Sequence, residues 1–165
     1  AVAQPGAGCR HVDFHPNGVW TYVINELDST VTYFHLDAAT GALVQKQLVS
    51  TLPAGADGSG NTTAEIWVTR NGRYVIGTNR GNDTLVVFEI DQTTGGLTAR
   101  RWVPTQGAKP RFFTFDPSGR FLYAANEDGH AIVTFSVDEN AGTLTPTGQV
   151  LDVGSPVCII MSEAF

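Results

Sequence analysis

The sequence is poor in charged residues, contains little cysteine and has no long apolar run. Charged residues make up 16% of its 165 residues. No segment approaches the roughly 18 unbroken apolar residues of a membrane-spanning helix. The first residues lack the basic and then apolar pattern of a secretion signal. A membrane partner is therefore not expected.

Positive charge and metal-ligand motifs are also scarce. The net charge is −6 and the arginines are scattered, which argues against nucleic acid as a partner. The two cysteines, Cys9 and Cys158, belong to no CxxC or Cys/His cluster, so no zinc or other metal site is predicted. We interpret them as two buried thiols in a reducing compartment and predict a cytoplasmic location. A disulfide between them is the alternative, which their spacing does not support.

Glycine is abundant, and three segments of the chain repeat. The 18 glycines occur among many Val, Thr, Phe and Tyr residues, which indicates an all-β chain with many turns. "FHPNGVWTYVINELDSTVTYFHLDAATGAL" (14–43) aligns without gaps with the segments 68–97 and 115–144. The same residue types recur in steps of 54 and then 47: Gly18, Gly72 and Gly119; Asn25, Asn79 and Asn126; Gly41, Gly95 and Gly142.

Each repeat is predicted to form four strands. In the first unit these are 10–15, 19–25, 30–36 and about 42–49, with period-two alternation in "TVTYFHLD". A four-stranded unit that recurs every 40–50 residues is typical of a β-propeller blade. We predict one partial propeller over 1–165, with about three and a half blades. They are 8–49, 61–103 and 107–150, with 154–161 as the innermost strand of a further blade.

Three blades do not close a ring, since propellers typically have four to eight. The exposed blade faces and strand edges at the two ends are expected to be adhesive. We therefore predict a macromolecular partner, either the missing half of the propeller or a second copy of this chain.

Charged residues are predicted to meet at one face of this propeller. A hairpin centred on Asn17 and Gly18 pairs residue 10 with residue 25, so Arg10 and Glu26 lie at its open end. The repeat places five residues at the rim of one face near the central channel: Arg10, Glu26, Arg80, Arg111 and Glu127. The Gly-rich loop 50–61 is expected to stand over that face. This arrangement suits a binding site for an anionic substrate. The alternative is that these side chains are solvated or tie neighbouring blades together.

Other residue types are interpreted more simply. The recurring asparagines are predicted to satisfy loop backbone groups. Trp20, Trp67 and Trp102 are predicted to lie in the core or between blades. His11 is of interest because it adjoins Arg10, although a structural or solvent-exposed role is the alternative.

The motifs "GCRHVDFHPNGVWTYVINE", "NTTAEIWVTRNGRYVIGTNRGNDTLVVFEID" and "GAKPRFFTFDPSGRFLYAANED" resemble the lactonase family of seven-bladed propellers. That family includes propeller 6-phosphogluconolactonases and the fungal carboxy-cis,cis-muconate cyclase. The resemblance covers nearly the whole chain and corresponds to the C-terminal half of a member. It implies a site of two arginines, a glutamate and a histidine. The histidine lies in an earlier blade.

The resemblance implies that Arg10, Glu26 and Arg80 are the catalytic residues. Two family positions differ here, with Cys9 where proline is expected and Trp67 where histidine is expected. His11, Glu65, Arg111 and Glu127 are predicted to bind substrate.

The predicted activity is hydrolysis of a sugar-acid lactone such as 6-phosphogluconolactone. Arg10 and Arg80 would bind the anion and stabilise charge, and Glu26 would transfer protons. No metal or other cofactor is required. The alternatives are a lactonising muconate-type cyclase and a non-catalytic binding or assembly module.

Overall fold

The computed structural model describes residues 3–162, which form twelve strands and no helix. None of the described residues therefore forms a helix long and apolar enough to cross a membrane. The strands are β1 (Cys9–Phe14), β2 (Trp20–Asn25), β3 (Thr30–Asp37), β4 (Ala42–Ser50), β5 (Thr62–Val68), β6 (Tyr74–Arg80), β7 (Thr84–Ile90), β8 (Leu97–Pro104), β9 (Pro110–Phe115), β10 (Phe121–Asn126), β11 (Ala131–Asp138) and β12 (Thr143–Asp152).

The strands pair into three antiparallel four-stranded sheets, ordered β1-β2-β3-β4, β5-β6-β7-β8 and β9-β10-β11-β12. We call these sheets blades 1, 2 and 3. The prediction of an all-β propeller fold built from four-stranded blades is confirmed. Each blade is made of consecutive hairpins because tight turns with glycine at positive φ connect its strands, as at Gly18, Gly72 and Gly119.

The blades pack face to face, and the hydrophobic core lies in the two layers between them. Tyr22, Val31 and Phe88 are among the buried residues of the layer between blades 1 and 2. Phe113 and Phe135 belong to the layer between blades 2 and 3. Blade 2 is covered on both faces, so every residue of its strand β6 is buried.

Tyrosines fix each blade to the outer turn of the next one. The Tyr33 hydroxyl donates to the Thr94 carbonyl at 2.7 Å, and the Tyr74 hydroxyl donates to the Asn140 carbonyl at 3.2 Å. Gly95 follows Thr94 with a φ of 79°, and a Cβ there would collide with the Tyr33 ring. A glycine is therefore required at this turn both for its conformation and for the close approach of the ring.

The recurring asparagines have the structural role that their repetition indicated. All three are fully buried at the ends of second strands. Asn25 donates to the Thr30 hydroxyl, and Asn79 donates to the Thr51 carbonyl. Asn126 donates to the carbonyl of Thr105. These side chains anchor the loops that follow the second strands and those that enter the next blade.

The exposure of the two thiols differs from the sequence-based expectation, and the assignment of residues 154–161 is not tested. Cys9 and Cys158 are free and exposed, so the prediction of buried thiols was wrong. Cys9 is the first residue of β1, and its side chain is exposed to solvent. Residues 154–161 form no strand and pair with no described strand. Because a strand needs a hydrogen-bonded neighbour, their assignment to a further blade stays a prediction.

The outer faces of blades 1 and 3 carry apolar side chains that meet solvent. On blade 1, Val12 is 50% exposed and Phe14 is 54% exposed. On blade 3, Leu151 is 62% exposed. The inner faces of the same sheets are buried against blade 2, so burial is one-sided at both ends of the blade stack.

Candidate functional site

A β-bulge at Arg10 shapes the inner strand of blade 1. Cys9 pairs with Asn25 and His11 pairs with Ile24, so Arg10 is the extra residue between them. The prediction that residue 10 pairs with residue 25 was therefore wrong by one position. The hairpin nevertheless continues past the bulge, since the Glu26 N–H donates to the Gly8 carbonyl at 2.7 Å. A bulge re-aims the side chains beside it, and here it orients Arg10 and His11.

The same irregularity occurs in the inner strands of the other blades. In β9 it falls at Arg111, between Pro110 and Phe112. In β5 it falls between Thr63 and Ile66. The bulges therefore place equivalent residues of the three blades side by side near the centre of the fold. Arg10, Ala64 and Arg111 form one such set, and His11, Glu65 and Phe112 form the next.

Three predicted site residues form one charged cluster, which we call the Arg–Glu–Arg cluster: Arg10, Glu26 and Arg80. The Arg10 Nε lies 3.3 Å from Glu26 Oε2, and Arg80 Nη2 donates to Glu26 Oε1. Each guanidinium also donates to a β5 carbonyl at 2.8 Å, from Arg10 to Ala64 and from Arg80 to Thr63. One carboxylate thus holds two guanidiniums, and β5 fixes both of them.

The protonation of this cluster follows from its burial and its charges. Partial burial raises the pKa of Glu26, but the hydrogen bond and charge of Arg80 and the charge of Arg10 outweigh it, so this pKa lies below its ordinary value. Burial and the nearby charge of Arg80 lower the pKa of Arg10, while Glu26 raises it. Glu26 is therefore a stable carboxylate at neutral pH, and the cluster carries excess positive charge.

Arg111 and Glu127 form a separate ion pair in blade 3. The Arg111 Nη1 lies 3.3 Å from Glu127 Oε2, and both side chains are partly exposed. The Arg111 charge still acts on Arg10 and Glu26. The five charged residues predicted to share one face thus form two adjacent groups rather than one network.

His11 contacts the carboxyl of Glu65 across the boundary between blades 1 and 2. His11 Nδ1 and Glu65 Oε1 are 2.8 Å apart. The Glu65 side chain is only 6% exposed, whereas that of His11 is 41% exposed. Burial raises the pKa of Glu65, against the hydrogen bond and charge of His11, which lower it. His11 and Glu65 were both predicted to bind substrate. The structure shows that their side chains contact each other.

An open cavity of about 390 Å³ adjoins these groups, within the size range of small-molecule sites. Arg10, His11 and Glu65 contribute to its wall. Sequence reasoning missed other lining residues, among them Asp13 and Phe112, and it assigned Trp67 to packing. The repeat alignment could have found Phe112, because it occupies the position of His11 and Glu65 in blade 3.

Asp13 serves mainly to join the inner strands at the cavity wall. Its Oδ2 accepts a hydrogen bond from the Val68 N–H at 2.7 Å, and its Oδ1 accepts one from the Phe14 N–H. Burial raises the pKa of Asp13, and these two backbone hydrogen bonds lower it. The ring of Trp67 packs edge-on against Phe115 with centroids 6.0 Å apart.

The loop 50–61 lies beside the loops that follow the second strands. The Thr51 hydroxyl donates to the Asn79 side chain, and Asn61 donates to the Ser29 hydroxyl. None of residues 50–61 lines the cavity beside Arg10, however. The loop therefore stands on the expected side of the fold without covering this cavity.

The fold and this cluster define a class of protein: a β-propeller with paired arginines and a carboxylate beside its central cavity. Among the described residues, no three His, Cys, Asp or Glu side chains come together as ligands for a metal ion. The family model "Lactonase, 7-bladed beta-propeller" matches residues 1–161. The chain belongs to this lactonase family.

Curated relatives of the chain are named 6-phosphogluconolactonase. The chain is 40% identical over 114 residues to a 6-phosphogluconolactonase of Bacillus subtilis, an alignment that covers 69% of this chain and 32% of the relative. It is 39% identical over 111 residues to a 6-phosphogluconolactonase of Pectobacterium carotovorum, covering 67% and 33% of the two chains. These alignments thus span about a third of the length of either relative.

Solved structures show the same fold. A protein from Lactobacillus plantarum superposes with a TM-score of 0.91 at 31% identity, covering 96% of this chain and 46% of that one. The Pseudomonas aeruginosa periplasmic gluconolactonase PpgL superposes with a TM-score of 0.87 at 33% identity, covering 94% and 43%. The chain therefore corresponds to somewhat less than half of each of these proteins.

Proposed function

We propose that this chain supplies the site of a lactonase that hydrolyses a sugar-acid lactone such as 6-phosphogluconolactone. The observation that carries the proposal is the Arg–Glu–Arg cluster beside the cavity. The names of the curated relatives support the same activity. The substrate would be an anion, because the cluster joins two guanidiniums to one carboxylate and Arg111 adds a further positive charge nearby.

The two arginines of the cluster suit the binding of an anionic group and of a developing oxyanion. A guanidinium stays charged and donates in a planar fork that matches carboxylate and phosphate oxygens. The Arg10 side chain is 17% exposed and that of Arg80 is 9% exposed, so each is held in a fixed position with limited contact to water. Fixed donors of this kind stabilise charge without having to reorganise during the reaction.

The two open blade faces support a second part of the proposal, which concerns assembly. Large apolar side chains on these faces have half or more of their surface exposed: Val12 and Phe14 on blade 1, and Leu151 on blade 3. We propose that the remaining blades of a ring, or a second copy of this chain, cover these faces. Light scattering across a dilution series tests the second copy, and a monomer at all concentrations would contradict self-association.

The test of the activity is hydrolysis of 6-phosphogluconolactone by this chain, corrected for spontaneous ring opening. We expect a rate above background that is lost in Arg10→Ala, because Arg10 joins Glu26 to β5 and faces the cavity. Arg100→Ala is the matched control, since Arg100 is an exposed arginine that pairs with Glu89 away from this cavity. A wild-type rate equal to background, or equal loss in both variants, would refute the proposal.

The compartment also remains a proposal, and we place the chain in the cytoplasm. The support is that Cys9 and Cys158 are free and exposed, which suits a reducing environment. Cell fractionation tests this, and recovery of the protein outside the cytoplasm would refute it.

A further inference from the structure

We propose that His11 is the general base of the lactonase reaction and that Glu65 is the residue that positions it. This inference rests on the proposed function and names the group that moves the proton. It differs from the sequence-based prediction, which gave proton transfer to Glu26 and substrate binding to His11 and Glu65.

The contact with Glu65 determines which nitrogen of His11 carries the proton. Glu65 Oε1 accepts a hydrogen bond from the Ile66 N–H at 3.1 Å and lies 2.8 Å from His11 Nδ1. As part of a buried carboxylate, Glu65 Oε1 accepts hydrogen bonds both from the Ile66 N–H and from the His11 ring. His11 Nδ1 therefore carries the hydrogen. The second oxygen, Oε2, is buried and has no hydrogen-bond partner among the described residues. His11 is thus the side-chain donor to this carboxylate.

The tautomer with hydrogen on Nδ1 leaves a lone pair on Nε2, which a general base requires. Arg10 Nη1 lies 3.4 Å from Nδ1 and 3.3 Å from Nε2 of the ring. A nitrogen that is equally close to both ring nitrogens lies over the face of the imidazole, because an in-plane approach would overlap the ring carbons. Arg10 Nη1 therefore lies over the face of the ring, and the in-plane lone pair of Nε2 stays accessible.

The surroundings of the ring direct Nε2 toward the cavity. The Glu65 edge of the imidazole is buried, while 41% of the His11 side chain is exposed and lines the cavity. The charged groups near the ring are Arg10 on its own strand and Glu65 on β5, and Asp13 lines the same wall. A water molecule in the cavity can thus reach Nε2 on the side away from Glu65.

Glu26 is a weaker candidate for the base because both of its oxygens are engaged. Oε1 accepts from Arg80, and Oε2 pairs with Arg10. A carboxylate held by two guanidiniums has a reduced affinity for protons, and proton transfer is most effective when that affinity matches the working pH. Glu26 thus positions the two arginines instead.

In the proposed step, Nε2 of His11 takes a proton from water while the water oxygen attacks the lactone carbonyl carbon. The carbonyl π electrons move to its oxygen and give a tetrahedral oxyanion beside the arginines. Collapse of this intermediate re-forms the carbonyl and breaks the ring C–O bond, and the departing oxygen takes the proton from His11. The lactone has then gained one water as a hydroxy acid, and the imidazole is neutral again.

The experiment compares 6-phosphogluconolactone hydrolysis by the wild type, His11→Ala and Glu65→Gln, with His35→Asn as control. His35 is an exposed histidine of β3 that does not line this cavity. We expect His11→Ala to lower kcat by about 100- to 10,000-fold, the usual contribution of a general base, with a much smaller change in KM. Added imidazole should restore part of the rate. Glu65→Gln should lower kcat by at least about tenfold, because it removes the carboxylate that holds the Nδ1–H tautomer of the imidazole.

Two results separate the failure of this inference from failure of the proposed function. A wild-type rate equal to background overturns the proposed function and the role of His11 together. A wild-type rate above background that persists in His11→Ala, or that imidazole does not raise in that variant, overturns the role of His11 alone. Nitrogen NMR of the imidazoles gives an independent readout, in which His11 should carry its hydrogen on Nδ1 at neutral pH. Hydrogen on Nε2 instead would also overturn the inference.

Discussion

Replacement of Glu26 by glutamine tests whether one carboxylate holds the Arg–Glu–Arg cluster together. The change keeps the shape of the side chain but removes its charge. Arg10 and Arg80 would then lie close together as like charges, joined only by a neutral amide that can accept from one of them. We expect a lower free energy of unfolding for Glu26→Gln at neutral pH.

The size of the loss follows from the exposure of the pair. A hydrogen bond to a charged group contributes about 1.5–3 kcal/mol when it is shielded from water, and an exposed ion pair contributes about 0–1 kcal/mol. The Glu26 side chain is 34% exposed, so solvent screening reduces the shielded value. We expect a loss of about 1–2 kcal/mol for the two arginine contacts together, which lowers Tm by about 2–8 °C in a chain of this size.

The loss should depend on pH in a defined direction. The pKa of Glu26 in the folded chain lies below its ordinary value of 4.5. Its carboxylate therefore contributes stability that is fully present above the ordinary value and is lost as the pH falls through the folded value. The difference between wild type and Glu26→Gln should be full at pH 7 and should shrink steadily below about pH 4.5.

Urea unfolding followed by circular dichroism at several pH values measures this difference. Glu127→Gln is the matched control, because Glu127 occupies the equivalent position in blade 3 but pairs with one arginine, Arg111. That change should cost about 0–1 kcal/mol. Equal losses for the two variants, or a loss for Glu26→Gln that is the same at pH 3 and pH 7, would refute the reasoning.

Three other predictions concern packing, a turn and the thiols. Phe88→Ala should lower the free energy of unfolding by about 3–5 kcal/mol because the ring is fully buried, whereas Phe14→Ala on the open face should change it by less than about 1 kcal/mol in urea unfolding. Gly95→Ala should lower Tm measurably in a thermal scan, because its φ is 79° and a Cβ there collides with a tyrosine ring; an unchanged Tm would contradict this. Both Cys9 and Cys158 should react with an aromatic disulfide reagent in the native chain, since both are free and exposed; protection of either thiol until denaturation would show that it is buried.

Repetition in the sequence was enough to predict the architecture. The recurring glycines and asparagines mark the same turns and loop anchors in each unit, and strand alternation places apolar residues on the faces that pack between blades. Both features depend on local backbone conformation and on period-two alternation, which neighbouring residues determine. The grouping of Arg10, Glu26 and Arg80 also followed from the repeat.

Strand register and exposure could not be read in the same way. The extra residue at Arg10 shifts the strand pairing by one position. No residue type predicts such a bulge, because the pairing depends on the hydrogen bonds with the partner strand. The exposure of Cys9 was missed for a related reason. Whether a side chain is buried depends on which blade, if any, covers its face.

By itself, then, the sequence determined the all-β repeat, its four-stranded units and the face on which the charged residues gather. Only the tertiary structure decided that His11 meets the buried Glu65, 54 positions further along the chain, and that Arg10 donates to the carbonyl of Ala64. The physical reason is that these contacts cross from one blade to the next. They require the sheets to pack at a particular distance and the two bulges to turn equivalent positions toward each other, and no local pattern encodes that geometry.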